Sequence, residues 1–151
     1  MVARSHGFGG RYIVVADEDS AVANMVIETL LGDGHAVFQA YDGLSATQLA
    51  LGLKVCDLVI SNTRVGGVAG LDLIHELRAH LPNLAILYLA NRARSTPELE
   101  RRLPADVPVL REPFTPEELR AVVRPLLTGA GRIRPGSAEF SGWRLEPPDR
   151  S

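Results

Sequence analysis

The sequence predicts a doubly wound α/β domain, a parallel sheet of five strands with helices on both faces. Two observations carry this expectation. Short apolar runs alternate with segments whose apolar residues recur at helical spacing. Acidic or glycine-rich stretches fall where several of the runs end, and alternation of this kind needs right-handed crossovers that bring the chain back through a helix.

The first run, residues 12–16, is β-branched and suits a strand covered on both faces. Asp17, Glu18 and Asp19 follow it at once. Val22, Val26 and Leu30 recur every four positions, predicting a helix over 20–31 with Gly32 and Gly34 as its stop. The unit then repeats, with strands at 36–40 and 57–61 and helices at 44–53 and 71–81. Leu71, Ile74 and Leu77 face inward on the last of these, and Pro82 ends it. Residues 85–89 form the fourth strand, Thr96-Pro97-Glu98 opens a short fourth helix, and 107–110 form the fifth strand. Thr115-Pro116-Glu117-Glu118 is a capping box with proline at the first helical position, starting a last helix that runs to about Leu127.

A chain of 151 residues suits one core. With a net charge of −2 there is no basic field to recommend nucleic acid or an anionic membrane as partner. Cys56 is the only cysteine, which excludes an intrachain disulfide framework and a CxxC metal site and fits a reducing, cytoplasmic setting. The longest apolar run, 84–90, is too short to cross a bilayer. Residues 1–10 are expected to be a flexible N-terminus, 11–128 the domain, and 129–151 a disordered tail rich in glycine, proline and arginine. Within that tail Trp143 reads as part of the unstructured segment or, alternatively, as a partner-docking anchor.

Motifs for catalysis are missing. His75 and His80 are five apart, off a common helix face, so a zinc helix is rejected. Gly66-Gly67-Val68-Ala69-Gly70 lacks the spacing of a dinucleotide loop, and neither a phosphate loop nor a nucleophile elbow is present. No enzyme activity is expected. The polar candidates lie where strands end: Asp17 and Glu18 after the first, Asn62 after the third, Ala90 after the fourth and Glu112 after the fifth. Parallel strands share a carboxyl edge, so these residues are expected to gather there.

Three segments in register, VVADEDSAV, DLVISNTRVGGVAGLDLI and VLREPFTPEEL, resemble the receiver domain of two-component response regulators over residues 11–128. The resemblance implies the flavodoxin-like strand order 2-1-3-4-5. It also implies phosphoryl transfer to an aspartate ending the third strand, with a divalent cation held by the acidic loop. Here that position is Asn62, and an amide is a very poor nucleophile. The family's hydroxyl residue corresponds to Ala90, its lysine to Glu112 and its switch aromatic to Val109. Gly70 and Pro113 are kept, the latter where the family's peptide is often cis.

The resemblance with these departures implies a degenerate receiver, a pseudo-receiver, acting in phosphorelay signal transduction by protein–protein interaction without phosphorylation. A histidine kinase, another regulator or a second copy would be its partner. The face expected to dock spans the fourth helix, fifth strand and fifth helix, with Glu98, Arg101, Arg102, Val109 and Glu118 as its residues and Glu100 adding to its mixed charge. No cofactor is expected apart from a divalent cation that Asp17 and Glu18 could hold. The alternative is a module that senses a cation or small ligand: Asp17, Glu18 and Glu112 would repel one another and favour a bound ion or a raised pKa, unless Arg64 or Arg111 neutralises them. Flavin binding is a weaker third option.

Overall fold

The computed structural model describes residues 10–18, 20–53 and 55–129. The N-terminal segment and tail expected at 1–10 and 129–151 therefore lie almost wholly outside the described residues, as does Trp143. Five strands, β1 (Tyr12–Ala16), β2 (Ala36–Ala40), β3 (Leu58–Asn62), β4 (Ala85–Ala90) and β5 (Val109–Arg111), form one parallel sheet. Its order is β2-β1-β3-β4-β5, as expected. Five helices, α1 (Ser20–Gly32), α2 (Gly43–Gly52), α3 (Gly70–His80), α4 (Pro97–Arg101) and α5 (Pro116–Thr128), alternate with the strands.

Alternate side chains of each strand feed two cores, because successive Cβ atoms leave opposite faces of a sheet. Ile13, Val15, Ile60, Leu87 and Leu89 meet Val26 and Leu30 of α1 and Leu119, Val123 and Leu126 of α5. Val14, Ala16, Val59, Ile86 and Tyr88 meet Ala46 and Ala50 of α2 and Leu73, Ile74 and Leu77 of α3. The three central strands are almost wholly sealed, which is why they read as unbroken apolar runs.

Differences from the sequence expectation sit at element ends. β3 starts at Leu58, not Asp57: the Asp57 N–H still reaches the Tyr12 carbonyl at 2.8 Å, but the Tyr12 N–H is taken by the Asp57 carboxylate at 2.9 Å. β5 is shorter than 107–110 and shifted to Val109–Arg111: the Val107 N–H closes a turn onto the Pro104 carbonyl at 3.0 Å. A small antiparallel ribbon, Arg64–Val65 paired with Val68–Ala69, stands where only a loop was expected. Gly66 and Gly67 make its turn, both at positive φ. A Cβ on Gly66 would lie 2.5 Å from the Asp42 Cβ, so only glycine lets the ribbon press against the β2–α2 loop. No described helix is long and apolar enough to cross a membrane.

Candidate functional site

The sheet's register brings the polar residues to its carboxyl edge. Asn62, last in β3, pairs with Leu89 of β4, and Ala90 pairs with Arg111 of β5. Asp17 follows β1 directly, and its N–H extends the ladder to the Ala40 carbonyl at 3.0 Å. Its side chain is fully buried, and Asn62 is 3 % exposed.

Both ends of the Asn62 amide are engaged. Its Nδ2 donates to Asp17 Oδ2 at 2.9 Å, and its Oδ1 accepts the Thr63 N–H at 2.6 Å. The amide thus supplies a neutral donor to a buried carboxylate, satisfying a charge that burial would otherwise penalise. A carboxylate at position 62 would face Asp17 at the same separation with like charge, an arrangement that calls for a cation or a proton. Thr63 completes the edge, donating to the Leu89 carbonyl and accepting from the Asn91 N–H, each at 2.8 Å. Gly70 is required just behind: a Cβ there would lie 2.0 Å from the Asn62 carbonyl oxygen.

Glu18 turns outward. The Gly67 N–H bonds its Oε1 at 3.0 Å and Arg94 bonds its Oε2 at 3.0 Å. The Gly67 N–H, more than any other contact, holds this carboxyl below its ordinary range, with Arg94 adding to the effect against the opposing pull of desolvation. Arg64 or Arg111 was expected to neutralise this acidic cluster. Arg94 makes the ion pair instead: Arg64 donates to the Gly67 carbonyl at 2.9 Å and acts on Glu18 only through space, while Arg111 is committed to Glu100. Seventy-six positions separate Glu18 from Arg94, and only the folded loops bring them together.

Ala90 is buried and offers a methyl group, with no donor. The Glu112 N–H bonds the Ala90 carbonyl at 3.1 Å, fixing the ends of β4 and β5, and the Glu112–Pro113 peptide is cis. Among the described residues no three His, Cys, Asp or Glu side chains are grouped to hold a metal, so Asp17, Glu18 and Glu112 do not form a ligand set.

Beside the edge lies a polar chain that has no sequence signature. The buried Tyr88 hydroxyl meets Ser95 Oγ at 3.0 Å, Ser95 donates to Glu100 Oε2 at 2.7 Å, and Arg111 grips both Glu100 oxygens. Arg111, followed by Ser95, keeps the Glu100 carboxyl ionised below its usual range. Glu100 was expected to add to the mixed charge of the docking face, yet its side chain is only 13 % exposed. At the other end of α4, the Arg102 carbonyl contacts His75 Nε2 at 2.8 Å. Glu98 and Arg101 stand outward as a loose pair 3.9 Å apart, and the Arg102 side chain is also exposed. Val109 packs against the core, and Glu118 closes the capping box by accepting the Thr115 N–H at 2.9 Å. Four of the five residues expected on the docking face are therefore exposed, Glu118 among them despite its capping bond, while Val109 packs against the core.

Fold and site together define a doubly wound domain with a buried polar pocket at the carboxyl edge of its sheet. The model of the response regulator receiver domain matches residues 13–124, and the chain belongs to that family. It is 31 % identical over 111 residues to the transcriptional regulatory protein YrkP of Bacillus subtilis, covering 74 % of this chain and 47 % of that protein. It is 27 % identical to part of the sensor kinase CckA of Brucella abortus, over 79 % of this chain and 13 % of the kinase. The chain spans about half the length, or less, of the curated relatives it matches first. Among solved structures, a response regulator receiver protein from Sinorhizobium medicae superposes with a TM-score of 0.72 at 22 % identity, covering 82 % of this chain and 99 % of that one. Vibrio cholerae chemotaxis protein CheY4 gives 0.69 at 23 %, covering 79 % and 100 %. At those identities the likeness establishes the fold.

Proposed function

We propose that this receiver domain acts in two-component signalling without being phosphorylated, its conformation set by its own hydrogen bonds and its output delivered by protein contact. The Asn62–Asp17 bond carries this reading. An amide nitrogen stands where an attacking carboxylate oxygen is needed, and it already satisfies the one buried acid that would help to hold a cation. Ala90 removes the donor that would orient a phosphoryl oxygen, and Glu112 places an anion where a cation would neutralise developing charge. Loss of nucleophile, donor and cation from one reaction supports a non-enzymatic role.

Partner contact is assigned to the flank of α4 and α5, where Glu98, Arg101 and Arg102 project. A sensor kinase or another regulator fits the family, and a second copy of the chain is the other option. The direct test compares partner complexes formed by the wild type, by the wild type treated with acetyl phosphate and magnesium, and by the double charge reversal R101E/R102E. Complexes indifferent to acetyl phosphate but lost on charge reversal support the proposal. Complexes formed only after acetyl phosphate treatment, or untouched by the reversal, oppose it.

A second reading, ligand sensing in the altered pocket, draws support from Arg94. Its bond to Glu18 disfavours a cation there and leaves a cleft whose lining is richer in guanidinium than carboxylate.

A further inference from the structure

The cleft between the ribbon and the β4–α4 loop has a volume of about 660 Å3, within the range that holds small molecules. It opens at the carboxyl edge of the sheet, where doubly wound folds take their ligands. Its lining includes two guanidinium groups, Arg64 and Arg94, against one carboxylate, Glu18, with Ala69 and Leu99 as apolar wall.

Glu18 has little left to offer a cation, since the Gly67 N–H holds one oxygen and Arg94 holds the other. Asp17 is fully buried and bonded to Asn62. Each arginine carries five N–H donors. Arg94 spends an Nη1 hydrogen on Glu18, and Arg64 an Nη2 hydrogen on the Gly67 carbonyl. Planar guanidinium forks match the geometry of phosphate and carboxylate oxygens.

We infer that this cleft binds a small organic oxyanion, a phosphate monoester or a carboxylate carried on an apolar body, with Arg64 and Arg94 on the anionic group and Ala69 and Leu99 along the body. The inference deepens the ligand-sensing reading and is independent of the protein-contact proposal. Binding here involves neither Arg101 nor Arg102, so the two fail separately.

The test is a titration of the isotopically labelled full chain, followed by amide NMR, with phenyl phosphate, benzoate and inorganic phosphate in turn. Saturable shifts of Thr63, Arg64, Ala69, Arg94 and Leu99 are expected with phenyl phosphate, benzoate or both, and the tighter of the two assigns the oxyanion. Arg64→Gln, which leaves the Glu18–Arg94 pair in place, is expected to weaken binding roughly tenfold, the loss of about one charge-assisted hydrogen bond. Arg64→Lys keeps the charge and recovers part of the affinity. Absence of saturable shifts with either organic anion, inorganic phosphate binding as tightly as phenyl phosphate, or unchanged affinity in a folded Arg64→Gln variant overturns the inference.

Discussion

Helices α4 and α5 flank the same strand and stay in place by opposite means. α5 has 13 residues, buries Leu119, Val123 and Leu126, and starts with a complete capping box. α4 has five residues and buries none of them. Its hold is polar: the Thr96 cap, Glu100 on Arg111 and Ser95, and His75 on the Arg102 carbonyl. Apolar burial is non-directional and tolerates exchange among hydrophobic residues, whereas a hydrogen-bonded tether fixes one geometry and is sensitive to a single atom. The body of this domain is therefore generic, and the α4 edge, proposed above as the contact surface, is specified residue by residue.

Breaking the apolar side of the comparison has the largest effect. Leu119→Ala leaves a cavity against a sealed core and is expected to cost about 2–5 kcal/mol in urea unfolding. Asn62→Asp acts at the polar edge, setting two buried carboxylates against each other, and a loss on the order of 3 kcal/mol is expected in the absence of divalent ions. Magnesium should restore part of that loss in the variant and give little in the wild type, as thermal melts with and without the ion will show.

Acid separates the two modes further. His35 accepts the Arg11 N–H through Nδ1 at 3.0 Å, and burial lowers its pKa below 6.5. The unfolded chain takes up that proton first, so stability falls as pH drops below about 6.5. Glu18 and Glu100 have folded pKa values depressed below 4.5. Their contribution is complete above that pH and is lost as pH falls through the folded values. His35→Gln should remove the onset near pH 6.5 and leave the fall below 4.5, measured by urea midpoints across the pH range.

The smallest effect on global stability, and the sharpest on the comparison, comes from Glu100→Gln. Amides of residues 95–103 should exchange faster with deuterium, while those of α5 keep wild-type protection. Equal loss in both helices would show that α4 is held by burial after all.

The strands and the α5 cap were legible because apolar periodicity and capping are local, whereas the strand order was supplied by the resemblance to receiver domains. Asn62, Ala90 and Glu112 were legible as an edge because parallel strands end together, and the departures at those positions were visible residue by residue. Arg94 was not, since nothing local links it to Glu18. Tyr88, Ser95, Glu100 and Arg111 look like one buried aromatic and three ordinary polar residues until the β4–α4 loop folds over β5. The ribbon was missed because two-residue strands leave no period, although its glycines marked the turn.

The central claim is that the amide at position 62 leaves the pocket without a phosphoryl acceptor. Its most direct test is intact mass measurement after incubation with acetyl phosphate and magnesium, with Asn62→Asp alongside. No phosphoryl adduct is expected on the wild-type chain if the proposal holds, and a hydroxylamine-sensitive adduct mapped to Asp17, Glu18 or any other residue of the pocket would contradict it.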